Sequence, residues 1–309
     1  MSRLPEKIAA RIRPLRVLLL GGLLLMGGPA PDRPTAASPV RAPVAPADTV
    51  LHVRFPRPES DEDPRVDYCY QMLSLALERS GVPHVLEPAR VRMNQQRVIR
   101  EVARGRLVDV LCTMTTIERE QVLRPIRIPL NKGLMGVRLF LVDADRADSL
   151  ARLAPDIDAW KRLRAGQGHD WPDTPILRHN GFTVVTADAY EALFRMLRAG
   201  RIDYFPRSVL EIWNEQALHE GLAVEPRFAL RYPAAVYFFV HPENDALAGA
   251  LEQGLARARA DGSFDALFQA HYGAFLEQAR LDARTIVDLE NPFMPPGTPL
   301  GYADLWYHP

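Results

Sequence analysis

From residue 49 onward the chain alternates short β-branched runs with amphipathic stretches. Residues 49–55 (TVLHVRF) have period-2 character, which predicts a strand. Residues 68–79 (YCYQMLSLALER) carry apolar side chains at helical spacing until Gly81 ends the run. A short strand over 84–87, a helix over 94–104 stopped by Gly105, and a strand over 108–113 (VDVLCT) complete the order β-α-β-α-β. That order predicts a mostly parallel sheet covered by helices, an α/β fold.

A long apolar run at 134–142 (LMGVRLFLV) predicts a strand, and the charged stretch 148–163, which contains Trp160, predicts a helix. Residues 166–173 read as a turn leading into a short helix. A strand over 182–186, an amphipathic helix over 187–198, a strand over 202–205 and a helix over 208–216 follow, so the second unit repeats the order of the first. A second long apolar run spans 228–240 (FALRYPAAVYFFV), before helices over 246–259 and 264–276. Laid side by side as hinge strands, the two long runs would give lobe one residues 48–135 and 235–282, and lobe two residues 136–234. The tail, 283–309, is rich in proline and aromatics and reads as a strap packed on the surface, with Trp306 and Tyr307 as candidate partner contacts.

The start of the chain has a different character. Arg3, Lys7, Arg11, Arg13 and Arg16 precede the apolar run 17–28 (VLLLGGLLLMGG), the pattern of a secretory signal. That run is short for a bilayer crossing. Thr35-Ala36-Ala37 offers a cleavage site, giving a signal peptide over 1–37; an uncleaved anchor is the alternative. No cysteine follows the apolar run, which closes the lipid-attachment route, and the Pro-rich stretch 38–47 reads as a spacer. The chain as a whole is neutral, so removing the basic leader leaves a mildly acidic, periplasmic protein.

Composition narrows the function classes. The 47% apolar content is ordinary for globular chains and excludes disorder, collagen and a multi-pass membrane protein. Thirty-five of the 38 basic residues are arginine, but acids match bases and the two alternate along the chain, which excludes a nucleic-acid-binding face. No lysine follows a glycine, so there is no phosphate-binding loop. Gly166-x-Gly168 begins like a dinucleotide fingerprint, but Trp171 stands where a small residue is needed. There is no Gly-x-Ser-x-Gly and no His-Glu-x-x-His, and the eight histidines are dispersed, so no metal or cofactor is expected. Asp61-Glu62-Asp63 reads as a solvated loop, and Asp170 and Asp173 as helix caps. Cys69 and Cys112 both lie in apolar patterns; a disulfide and two buried thiols are both open.

Three strings carry more information. They are Arg106-Leu-Val-Asp109-Val-Leu-Cys-Thr-Met-Thr-Thr116-Ile-Glu118-Arg119, then Arg198-Ala-Gly-Arg-Ile-Asp203-Tyr-Phe-Pro-Arg207, then Asp261-Gly-Ser-Phe-Asp-Ala-Leu-Phe-Gln-Ala-His-Tyr-Gly273. Together, in this order over residues 49–278, they resemble the periplasmic solute-binding proteins of the amino-acid-binding type, family 3. The resemblance implies two α/β lobes joined by two hinge strands, a type II periplasmic binding fold that closes on a small ligand.

The resemblance also implies site residues. Arg119 holds the place of the arginine that grips a ligand carboxylate, a role suited to its planar fork. Thr113, Thr115 and Thr116 surround it, with Met114 where many members carry a hydroxyl residue. Gly168, His169, Asp170 and Trp171 occupy the lobe-two turn that receives the carboxylate in the family. After Asp203, where the family places an acid for the ligand ammonium, this chain has Phe205, Arg207 and Ser208, with Glu211 a turn later. That departure argues against an α-amino acid, and Arg207 opposite Arg119 would favour a ligand with two anionic ends; pairing with Glu211 is the alternative for Arg207. Arg54, at the end of the first strand, and the aromatic walls Tyr68, Trp171 and Phe205 complete the candidate set. The family's usual signals after the first strand are missing.

The expected function is therefore that of an exported, monomeric solute-binding protein that captures a small anionic, carboxylate-bearing ligand and presents it to a membrane transporter or sensor, without covalent chemistry. The alternatives are a dehydratase-like enzyme on the same scaffold, using Asp170, Asp173 or Glu211, and an accessory protein with a vestigial cleft.

Overall fold

The computed structural model describes residues 50–58, 67–153 and 156–308. The signal peptide, the Pro-rich spacer and Asp61-Glu62-Asp63 lie outside the described residues. No helix among the described residues is long and apolar enough to cross a membrane.

The chain opens with β1 (Leu51–Phe55), α1 (Asp67–Ser80), β2 (His84–Pro88), α2 (Gln95–Ala103), β3 (Val110–Met114), α3 (Ile117–Val122) and β4 (Arg124–Ile126). Then come β5 (Val137–Asp143), α4 (Ala147–Ala151), α5 (Ile157–Arg162), β6 (Arg164–Gly168), α6 (Asp173–His179), β7 (Thr183–Ala187), α7 (Tyr190–Arg198), β8 (Phe205–Ser208), α8 (Ile212–Leu218), β9 (Leu222–Val224) and β10 (Phe228–Arg231). The chain returns through β11 (Val236–Val240), α9 (Asp245–Ala260) and α10 (Ser263–Ala279), and ends with β12 (Thr285–Asp288).

Two lobes result. Lobe one contains the parallel pair β1–β2 and the sheet β3-β11-β4; lobe two contains the sheet β12-β10-β5-β8, with β9 also on β5, and the parallel pair β6–β7. The strands following a β-α unit are parallel, as the repeat order requires, whereas β5 and β11 enter from a crossing and run antiparallel to β3, β4, β8 and β9, and to each other's crossing partner β10 in the case of β5. Both are buried along nearly their whole length, which explains their continuous apolar runs.

Local chemistry sets the helix starts. Asn94, Thr116, Asp156 and Asn244 each accept a backbone N–H three residues on, capping α2, α3, α5 and α9. Each such cap contributes about 1 kcal/mol. In lobe two the rings of Phe140, Trp160, Tyr204 and Phe228 meet at 4.6–5.6 Å and fill the centre of the core.

The structure corrects several boundaries. The run 228–240 is two strands in two different lobes, broken at Pro233, which has no N–H for a ladder. The run 134–142 begins as a tight 3-10 turn at Leu134–Gly136 before β5. The stretch 148–163 holds two short helices. Residues 164–168 are strand β6, although the small residues of Ala165-Gly-Gln-Gly168 suggest a turn, and β8 starts three residues later than expected. Cys69 in α1 and Cys112 in β3 are joined by a disulfide, with Cα atoms 6.1 Å apart.

The tail is a strap, but it is also part of a sheet: β12 pairs in parallel with β10 in lobe two. Trp306 and Tyr307 are half-buried against the chain itself. The Trp306 ring rests on Gly133, where a Cβ would come within 2.5 Å of it, and the Tyr307 N–H donates to the Lys132 carbonyl. This corrects their reading as free partner contacts.

Candidate functional site

The two motif aspartates act first on architecture. Asp109 receives the backbone N–H, Nε and Nη2 of Arg54 at 2.7–2.8 Å. Asp203 receives the same three groups of Arg164 at 2.9–3.1 Å, together with Arg146. Each lobe therefore ties an arginine of one strand to the aspartate that leads into another. Burial would raise the Asp203 pKa, but the hydrogen bonds from Arg164 and Arg146 overcome it and hold the carboxyl at about 2. Arg54, expected at the ligand, is committed to this architectural pair.

Between the lobes lies a cavity of about 200 Å³. Lobe one lines it with Phe55, Arg57, Tyr70, Gln95, Thr113, Met114 and the Cys69–Cys112 disulfide; lobe two contributes Arg138, Trp171, Asp173, Arg207 and Glu211.

Arg119 stands immediately behind the lobe-one wall. Its Nη1 donates to Thr113 Oγ1 and the Met114 carbonyl, both at 2.7 Å, and its Nη2 donates to Gln95 Oε1 at 2.6 Å. All three acceptors belong to lining residues, and all three are neutral. Arg119 is 7% exposed, and burial pushes its pKa down to about 10 against the pull of Asp170, Asp173 and Glu118. Among the described residues no carboxylate reaches ion-pair distance of it. Its Nε and one Nη2 proton take no part in these bonds. A buried cation held only by neutral dipoles is costly, and an incoming anion relieves that cost.

The hydroxyl residues around Arg119 divide their tasks. Thr113 holds the guanidinium and lines the cavity. Thr116 caps α3 by accepting the Arg119 N–H at 3.1 Å, and Thr115 donates to Glu120 at 2.7 Å, which fastens the same helix from its other side. Neither lines the cavity, so their reading as ligand contacts is replaced by one of support for α3.

In lobe two, Arg207 is 2% exposed and is gripped by Glu215 at 2.7–2.9 Å, with Glu211 at 3.0 Å. Its Cζ lies 4.8 Å from the centroid of the Trp171 ring, which stacks on Phe205. This pairing corrects the expectation that Arg207 supplies a second anion-binding charge. Arg138 is equally buried, ion-paired with Asp173 and hydrogen-bonded to Tyr232, which also donates to Asp173. The two buried arginines thus meet three carboxylates, Asp173, Glu211 and Glu215, within lobe two itself.

The remaining candidates fall outside the cavity. Gly168 lies beneath the Trp171 ring, where a Cβ would come within 2.5 Å of it, so glycine there is what seats the indole. His169 is half exposed, 3.4 Å from Asp188. Phe205 is wholly in the core. Tyr68 donates to the Leu130 carbonyl at 2.6 Å and lines a smaller adjoining cavity of about 50 Å³ with His271 and Tyr272.

Arg138 was not among the residues singled out from the sequence. Its one sequence signal is an arginine in the middle of the apolar run 134–142, where an unpaired charge cannot be buried. Gln95 gave no signal, because its acceptor role depends on α2 meeting α3 in space.

No family model and no curated protein matches the chain at the level of sequence. Solved structures do match it. One is an amino acid ABC transporter substrate-binding protein from Streptococcus pneumoniae bound to L-arginine, with a TM-score of 0.55 and 16% identity over 72% of this chain and 94% of that one. The fold is that of the type II periplasmic binding proteins. Other structures with this fold are a histidine kinase sensor domain similar to periplasmic binding proteins, at 0.52 and 16% identity over 72% of this chain and 96% of that one, and an ancestral amino acid-binding protein described as a precursor of cyclohexadienyl dehydratase, at 0.51 and 14% over 72% and 95%. The cavity lined by Thr113, Gln95, Trp171 and the Arg207 cluster lies between the two lobes of this fold.

Proposed function

We propose that the chain is an exported, monomeric solute-binding protein. It captures a small carboxylate-bearing molecule in the interlobe cavity and presents the closed form to a membrane transporter or sensor. The observation that carries this reading is the state of Arg119: a buried guanidinium behind the cavity wall, bonded only to neutral acceptors of Thr113, Met114 and Gln95, which themselves line the cavity. Closure follows from the ligand's differential affinity, with Trp171 of lobe two closing over a carboxylate held at lobe one. The leader-like segment 1–37 supports a periplasmic location, and the solved transporter-binding and sensor relatives of the fold support a partner of either kind.

The enzyme reading has less support. General acid chemistry calls for a cavity carboxyl held protonated. Asp173 and Glu211 line the cavity, but each contacts a buried arginine. Among the described residues the carboxyl pushed up by burial is Glu225, which caps the backbone N–H groups of Arg227 and Phe228 and does not line the cavity.

The test is a thermal-shift screen of refolded, ligand-stripped protein against amino acids, mono- and dicarboxylates, cyclic carboxylates and sugars. A ligand at 100 times its Kd adds about 2.7 kcal/mol, a shift of several degrees for a chain of this size. A carboxylate hit supports the reading; hits confined to sugars, or none at all, overturn it.

A further inference from the structure

A binding protein with two hinge strands would let its lobes move about two covalent crossings, at residues 127–136 and 232–235 here. This chain crosses again. After α10, which packs on α9 and α1 of lobe one, the strap enters lobe two as β12, with Phe228 to Arg231 in register with Thr285 to Asp288. Arg231 and Asp288 close that pairing with two hydrogen bonds, at 2.5 and 2.9 Å.

The strap then leaves lobe two by a series of anchored steps. Asn180, at the end of α6, exchanges two hydrogen bonds with the Glu290 backbone, at 2.8 and 3.1 Å. Asn291 donates to the Pro233 carbonyl at 2.8 Å, in the middle of one crossing. Two residues later the Phe293 carbonyl accepts the Ile117 N–H at 3.1 Å. Ile117 is the first residue of α3, the helix that carries Arg119, and its N–H is one of the helix-start donors left without an intrahelical partner. Further on, Trp306 covers Gly133 and the Tyr307 N–H donates to Lys132, both in the other crossing.

The strap thus binds lobe two, one crossing, the start of α3 and then the other crossing, in that order. We propose that residues 285–307 act as an added brace between the lobes: they restrict the angle through which the lobes open, and they fix the helix that positions Arg119. Asn291 and the Phe293 backbone are positioning elements, since neither lines the cavity. The part concerning Arg119 rests on the proposed binding function; the part concerning the lobe angle does not.

The experiment uses the full chain with its disulfide intact and needs no ligand. Spin labels are attached through Arg97→Cys and Arg198→Cys, exposed positions on lobes one and two, and their distance distribution is measured by pulsed electron spin resonance. Amide exchange at Ile117 is followed in parallel. Asn291→Ala combined with Trp306→Ala is expected to widen the distribution at least twofold and to speed Ile117 exchange at least tenfold. Arg79→Ala, which removes an ion pair to Asp261 within lobe one, is expected to change neither. An unchanged distribution and unchanged Ile117 exchange in a folded double variant overturn the proposal. If the double variant does not fold, Asn291→Ala alone decides through Ile117 exchange. Because no ligand enters either reading, failure here is distinguishable from failure of the binding function.

Discussion

Arg119 Nη1 lies 2.7 Å from Thr113 Oγ1, so the end of β3 holds the guanidinium that α3 presents. The five residues between them are enough for the chain to turn from strand to helix and face itself. Thr113→Val keeps the shape and removes the acceptor. A hydrogen bond to a charged group is worth about 1.5–3 kcal/mol, so ligand affinity is expected to fall about tenfold or more, as read by calorimetric titration.

The Cys69–Cys112 disulfide joins α1 to β3 across 43 residues of sequence and forms part of the cavity wall. In the chain-entropy model a loop of that length contributes about 4 kcal/mol. The pair Cys69→Ser and Cys112→Ser should lower the melting midpoint by about 10 °C, and a reductant should do the same to the parent protein while leaving the double variant unchanged.

Asp203 gives a pH dependence of defined sign. Its folded pKa, about 2, lies below the value of about 4 for a free aspartate, so the stabilisation is fully present above pH 4 and is lost as pH falls toward 2. Asp203→Asn should therefore lower the thermal midpoint at pH 7. The gap between variant and parent should narrow steadily from pH 4 to pH 2.5.

Trp171 owes its place to Gly168. Gly168→Ala puts a Cβ where the indole sits and must displace the ring from its stack on Phe205 and Arg207. The expected result is a shift in intrinsic tryptophan fluorescence and at least a tenfold loss of ligand affinity, with a melting midpoint changed by only a few degrees.

Much of the fold was legible because the helices and buried strands follow their periodicities. The helices α1, α2, α9 and α10 lie within two or three residues of their expected bounds, since apolar spacing and caps act locally. Strand β6 was hidden because its small residues Ala165, Gly166 and Gly168 are chosen for close packing and carry no β signal. Pro233 was visible, but its effect of splitting one apolar run between two lobes depends on which sheet each half joins. The site was legible only in part for a similar reason. The motifs pointed to Arg119, and local spacing suggested the pairing of Arg207 with Glu211. The partners that decide what these arginines can do, Gln95, Glu215, Asp173 and Tyr232, come from distant parts of the chain. Arg54 and Arg164 were separated in sequence from Asp109 and Asp203, so their matched architectural role emerged only in three dimensions.

The most direct test of the central claim is an equilibrium titration of the carboxylate hit against the parent protein, Arg119→Lys and Arg119→Ala, with the hit's integrity checked after incubation. The account predicts saturable binding by the parent, at least tenfold weaker binding by Arg119→Lys, which keeps the charge but loses the fork, and none measurable by Arg119→Ala, with the ligand recovered intact. Equal affinity in all three proteins, or conversion of the ligand to a new compound, would contradict it.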